Sequence, residues 1–280
     1  MGYRGSKSEH ASSYKKKGHE DEEVFANLIG GRVISGTGKK DVVGLDNKTY
    51  SVKGGTRKWQ IFLYGKERFK KDNDFNKIDN LGNLFIKSLD SFPEDYSEYS
   101  KDKKQAKKKL KEFARQNENR KPTDKEILDF LGENNEYLNS KNRLQGVTKE
   151  IADILSEKSV IKQFLLKSIF NMGEVDYWSI KEGSDFFVYN RNDVLEIFAD
   201  NLEVSTSKKG SRRSDLNIDG QKVIFRYKSN IVEIEVRNDS PRHYKQIRFN
   251  MIRIGALELL KENTSIEKKM VDSVYLFKKR

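Results

Sequence analysis

Residues 41 to 53, DVVGLDNKTYSVK, constrain the fold most: two β-rich runs flank a turn containing Asp46 and Asn47, a pattern that closes into a hairpin. The hairpin sets a carboxylate, Asp41, on one strand and an ammonium, Lys53, at the end of the next. Ahead of it, His19 to Ile29 places four acids before Val24, Phe25, Leu28 and Ile29, and Gly30–Gly31 follows, which predicts a helix with a clear start and stop. Behind it, Thr56 is placed to cap a second helix, whose Trp59, Phe62 and Leu63 form an apolar stripe up to about Phe69 and which carries Glu67. The predicted order is therefore helix, hairpin, helix.

The residues up to Gly18 read as a flexible basic arm ending in Lys15, Lys16 and Lys17, and residues 19–280 as one α/β domain. Within it, 19–70 form the core around the hairpin, 71–145 a charged helical insertion, and 146–280 the remaining core; a split near residue 145 is the alternative. The insertion holds KDKKQAKKKLKEFARQ and PTDKEILDFLGEN, both helical in pattern, and Val147 to Phe170 continues helical. VDYWSI and DFFVY read as strands, NDVLEIFADN as a short helix, and KVIFRY with IVEIEV as a second hairpin. A helix is predicted from about Gln246 to Glu262, before the closing VYLFKKR. The fold class expected is a mixed central sheet flanked by helices, with the helical insertion and additional C-terminal strands.

Charge narrows the partners. The 55 Lys and Arg against 43 Asp and Glu give a formal +12, which attracts polyanions because phosphate neutralisation releases counterions. Nucleic acid is the first partner to consider, although a lysine-rich, asparagine-rich chain can owe such a charge to genomic base composition. The absence of cysteine excludes disulfides, thiolate catalysis and cysteine-ligated zinc. No run of about 18 apolar residues and no apolar leader is present, so a cytoplasmic location and no membrane partner are expected.

Two carboxylates and an ammonium can hold a divalent ion and activate water beside a phosphodiester. Asp41, then nine residues, then Ser51-Val52-Lys53, resembles the core of the PD-(D/E)xK nucleases, whose order is helix, hairpin with Asp and an acid-x-Lys, then helix. Lys40 stands where that family has proline, and Ser51 where it has its second acid. One branch of type II restriction endonucleases, with targets containing a CCGG core, likewise has Ser before x-Lys and takes the missing carboxylate from the following helix. By that resemblance Glu67, about four helical turns past Lys53, fills the vacancy, with Gln60 on the same helix face as an alternative. The resemblance also implies an acid on the first helix. Glu22 is the choice, although Glu20, Asp21 and Glu23 fit the pattern too. It assigns Mg2+ to Asp41, Glu67 and Glu22, and water activation or phosphate positioning to Lys53.

A rival site consists of Asp215 with Glu233 and Glu235, which share one face of an alternating strand but lack a lysine. For DNA contacts, Arg212 and Arg213 in a basic loop and Arg237, Arg242, His243, Tyr244, Lys245 and Arg248 around a turn offer donors suited to phosphates and base edges. The expectation is a magnesium-dependent type II restriction endonuclease cutting both strands of DNA at a short site. By resemblance it acts as a homodimer and implies a companion methyltransferase. The alternatives are a non-catalytic nucleic-acid-binding protein, or a repair or recombination nuclease of the same fold.

Overall fold

The computed structural model describes residues 7–36, 38–55, 57–117, 120, 122–208, 216 and 218–280, with the side chains of the first helix from Lys16 onward. That helix, α1, spans Lys7–Leu28 and is followed by strands β1 (Arg32–Val33), β2 (Val42–Val43), β3 (Thr49–Lys53) and β4 (Lys58–Gly65). Six helices come next: α2 (Lys66–Lys71), α3 (Leu81–Asp90), α4 (Tyr96–Gln116), α5 (Asp124–Leu131), α6 (Glu136–Ile154) and α7 (Lys158–Phe170). The remainder alternates: β5 (Tyr177–Glu182), β6 (Asp185–Asn190), α8 (Arg191–Asn201), β7 (Glu203–Thr206), β8 (Lys222–Arg226), β9 (Asn230–Arg237), β10 (Gln246–Ile252), α9 (Arg253–Asn263), β11 (Thr264–Val271) and β12 (Val274–Lys279).

The strands form two sheets. The first is mixed and seven-stranded, in the order β1-β2-β3-β5-β6-β12-β11. Within it β3 runs parallel to β5 and β6 parallel to β12, and the other neighbours are antiparallel. The second is antiparallel and five-stranded, in the order β4-β10-β9-β8-β7. Helix α1 covers one face of the first sheet, burying Phe25 and Ala26 against Val42, Tyr50, Val52 and Val188. On the opposite side, one continuous core joins Trp178 and Ile180 of β5 to Phe164 and Leu165 of α7 and to Trp59, Phe62 and Phe249 of the second sheet. The insertion has a separate core in which Tyr99, Leu110, Ile127 and Tyr137 meet. The molecule is thus mixed α/β, with a mixed sheet flanked by helices. Helix α6 runs unbroken through residue 145, and among the described residues no helix is long and apolar enough to cross a membrane.

Three expectations are corrected. Residues 7–18 belong to α1 rather than to a flexible arm; residues 1–6 lie outside the described set. The acids at 20–23 therefore sit deep inside a 22-residue helix, where the dipole of its N-terminus gives them no special stability. The helix still stops where expected, because Gly30 takes φ +65° and the Gly31 N–H reaches back to the Ala26 carbonyl at 2.8 Å. The stretch predicted as a helix from Thr56 to Phe69 is instead strand β4 followed by the short α2, with Thr56 itself outside the described residues. KWQIFLYG is rich in aromatic and branched side chains, which pack well on a pleated surface. Likewise Gln246–Ile252 is a strand, and only Arg253–Asn263 of that predicted helix is helical. Ile247, Phe249 and Met251 alternate with Gln246, Arg248 and Asn250, so the period there is two and not 3.6.

Candidate active site at the edge of the first sheet

The hairpin forms as its sequence requires. Asn47 adopts φ +61° in the turn, the Gly44 N–H donates to the Lys48 carbonyl at 2.9 Å, and β2 pairs with β3. Asp41 lies just ahead of β2 and is held to β3 by its N–H, 2.9 Å from the Tyr50 carbonyl oxygen. Ser51 and Lys53 share a face of β3 because strand side chains alternate, and that face looks onto Asp41. Asp41 Oδ2 accepts three hydrogen bonds: from Ser51 Oγ at 3.0 Å, from the Val52 N–H at 2.8 Å and from Lys53 Nζ at 3.1 Å. Lys53 Nζ also donates to Ser51 Oγ at 2.6 Å and to the Val52 carbonyl at 3.0 Å. Asp41 and Lys53 are brought together, and the fully buried Ser51 is the hinge between them. No hydrogen bond reaches Asp41 Oδ1 from any described residue.

A second lysine completes this corner. Lys39 donates from Nζ to the carbonyl of Ile61, tying the loop before β2 to strand β4 of the other sheet. Burial is the main reason its ammonium is pushed down to a pKa of about 7; repulsion from Lys53 adds to that, and Asp41 opposes it. The sequence reading passed over Lys39, whose separation of two residues from Asp41 was the signal available.

The acid of α1 that lies against the end of β3, at Gly54, is Asp21, not Glu22. Asp21 is 3% exposed, and its Oδ1 accepts from Lys181 Nζ at 2.6 Å. Lys53 pairs with Ile180 across β3 and β5, so Lys181 sits one residue beyond that register. Asp21 Oδ2 crowds Gly54, where an added Cβ would lie 1.9 Å from it. Glu22 instead pairs with exposed His19 at 3.0 Å. The loop after Lys53 is further pinned by Trp59, whose Nε1 donates to the Gly54 carbonyl at 2.6 Å. Gly54→Ala is expected to drive Asp21 off Lys181 and to destabilise the protein by about 1–3 kcal/mol, read as a lowered urea midpoint at unchanged m-value. A wild-type midpoint would show that Asp21 does not fill the space beside Gly54.

Glu67 does not join this site. It lies on α2, beyond the whole length of β4, and its carboxylate pairs with Lys70 at 2.8 Å with the side chain 73% exposed. Gln60 is exposed on β4, opposite Asn250. Because an exposed pair of this kind contributes little, Glu67→Ala is expected to leave the urea midpoint close to wild type. Any activity assayed with magnesium should survive the change; a dead Glu67→Ala enzyme would restore the helix acid to the site.

The ligand set Asp41, Glu67 and Glu22 is therefore not assembled, and among the described residues no three His, Cys, Asp or Glu side chains are grouped to hold a metal. Asp41 by itself could serve magnesium in the ion's usual protein setting, where one or two carboxylates share it with waters and substrate phosphates. Asp41 Oδ1 and Asp21 Oδ2 are carboxylate oxygens to which no described residue donates a hydrogen bond.

The rival acids are spoken for. Glu233 pairs with Lys58 at 2.8 Å and Lys222 at 3.8 Å, and Glu235 with Lys222 at 2.8 Å and with Arg248. Burial pushes the Glu235 carboxyl up, but its hydrogen bond from Lys222 and the nearby Arg248 outweigh that and hold it below the ordinary range. Asp215 lies outside the described residues.

Of the residues expected to contact DNA, Arg212 and Arg213 also lie outside the described residues. Arg237 is bound by Asp239 through two hydrogen bonds of 3.2 and 3.0 Å, and Arg248 by Glu235. Lys245 pairs with Glu94 at 2.7 Å. Tyr244 donates to the Pro93 carbonyl at 3.0 Å and packs against Tyr96 and Tyr99. Only Arg242, exposed, and His243, in the short 3-10 turn Pro241–His243, remain uncommitted. This cluster fastens the β9–β10 connection to the insertion, through Pro93 and Glu94 just before α4. Compared with known proteins, the chain matches no family model, no curated relative and no solved structure.

Proposed function

We propose that the chain is a magnesium-dependent DNA endonuclease of the type II restriction kind, with its active site at Asp41, Ser51 and Lys53. The reading rests on one observation: the aspartate and the lysine of the motif meet at 3.1 Å through a buried serine, on the hairpin that follows the first helix. A charge-neutral corner built on a serine hydroxyl is also what a purely structural ion pair looks like. What favours catalysis is a second lysine at the same corner, since Lys39 lies close enough to feel both Lys53 and Asp41.

The roles follow from the contacts. Asp41 would hold magnesium, its carboxylate kept in place by the hairpin through Oδ2; the α1 acid beside the strand end at Gly54 is Asp21 rather than Glu22. Magnesium bound there would supply Lewis-acid stabilisation of the charge that builds on the phosphate. Lys53, steered by Asp41 and Ser51, would donate to a phosphate oxygen or to the attacking water. Ser51 fixes the position of both charged partners. A homodimer would match a two-fold symmetric target, and a companion methyltransferase would protect it.

Supercoiled plasmid incubated with the protein and magnesium tests the reading. Discrete linear fragments support a restriction enzyme, and nicking or a smear supports a less specific nuclease. Intact plasmid together with a gel shift leaves only nucleic-acid binding.

A further inference from the structure

One face of helix α4 concentrates exposed positive charge. At 100° per residue, Lys101, Lys104, Lys108, Lys111 and Arg115 fall within a sector of about 80°, and all five are exposed. Tyr99, Ala106, Leu110 and Ala114 are buried on nearly the opposite side, packed into the core of the insertion. The five cations span 15 residues, from Lys101 to Arg115, about 21 Å of helix. Most cations elsewhere near the strands and the candidate site are bound to acids, as at Lys53, Lys58, Lys181, Lys222 and Arg248. On the α4 stripe the one ion pair among the described residues is Lys108 with Glu112, at 4.0 Å and with Lys108 80% exposed. Glu98 and Glu112 lie along one edge of the stripe and leave the other open.

We propose that this outer face of α4 is a docking surface for the phosphate backbone of double-stranded DNA. A duplex carries about one negative charge per 1.7 Å of axis, so a 21 Å row of cations meets a dense line of partners. Long side chains on a straight helix reach phosphates without needing base contacts, so the surface grips without reading sequence. An anionic membrane suits it less well, because the apolar side of α4 is already buried and none is left to enter lipid. The proposal stands apart from the nuclease reading, since gripping DNA requires no cleavage.

The test is duplex binding measured by fluorescence anisotropy over a range of salt, with magnesium omitted so that cleavage plays no part. The variant replaces Lys101, Lys104, Lys108, Lys111 and Arg115 together by Gln, which keeps helix propensity. A control variant removes the same charge elsewhere by changing exposed Arg32, Lys48, Lys149, Lys268 and Lys278 to Gln. Each phosphate contact contributes about 0.9 to the slope of log affinity against log salt. The stripe variant is therefore expected to lose about 3 to 4.5 from that slope and at least tenfold in low-salt affinity, with the control close to wild type. If five changes unfold the helix by circular dichroism, Lys101→Gln with Lys104→Gln and Lys108→Gln should still lose about 2 to 3 from the slope. An unchanged slope, an equal loss in the control, or binding to phosphatidylserine vesicles but not to duplex would overturn the proposal.

Discussion

Replacing Lys53 with alanine is expected to slow magnesium-dependent cleavage of duplex DNA by at least about 100-fold while leaving duplex binding near wild type. The ammonium of Lys53 is the one positive group steered directly by Asp41 and Ser51, at 3.1 and 2.6 Å, so its loss removes the donor aimed at the reacting phosphate or water. The fold should tolerate the change. Asp41 Oδ2 keeps the Ser51 hydroxyl and the Val52 N–H, which hold the carboxylate in place. Single-turnover cleavage and anisotropy on the same duplex separate the two effects. Weakened binding with normal turnover of bound DNA would make Lys53 a gripping residue and not a reacting one.

The second large effect is a stability that rises with pH. Lys39 titrates near 7 in the folded protein, whereas a lysine in an unfolded chain keeps its proton to about 10.4. Between those values the unfolded state binds a proton that the folded state has released, so unfolding becomes harder as pH rises. Below about pH 7 both states hold the proton and Lys39 adds no slope. The upper limit is about 1.4 kcal/mol per pH unit, and because some of the residue's surface meets solvent, about half of that is expected. Urea unfolding of wild type and Lys39→Met at pH 7, 8 and 9 isolates the effect, because other titrating groups cancel in the difference. The two proteins should differ most at pH 7 and converge towards pH 9. A constant difference would show that Lys39 keeps its proton in the fold. In Lys53→Ala the slope should shrink, since repulsion from Lys53 is one cause of the depressed value.

The local pattern of the hairpin was legible because its turn and its strands are specified within 13 residues, and so were Asp41, Ser51 and Lys53 as its charged corner. Glu67 was not, because its place depended on reading Thr56 to Phe69 with a helical period. Trp59, Ile61 and Phe62 serve a strand equally well, and the second sheet that claims them is completed by β10, nearly 200 residues later. The α1 acid was ambiguous for a different reason. Asp21 stands four residues before buried Phe25 and Glu22 three, and either spacing shares a helix face. Close contact with Gly54 and Lys181, both remote in sequence, selects Asp21. The C-terminal basic cluster was visible as charge, but its acids and carbonyls come from elsewhere in the chain, from Glu94 and Pro93 for Lys245 and Tyr244. Charge patterning shows which residues are ionic and leaves open which are already paired. That is why the open stripe on α4 emerged only with the fold.

Cleavage rates of wild type, Lys53→Ala and Glu233→Gln on supercoiled plasmid with magnesium report most directly on where hydrolysis takes place. Cutting by wild type and Glu233→Gln, with Lys53→Ala binding the plasmid but leaving it intact, is the predicted result. Normal cutting by Lys53→Ala together with a dead Glu233→Gln would contradict it and move the active site to the second sheet.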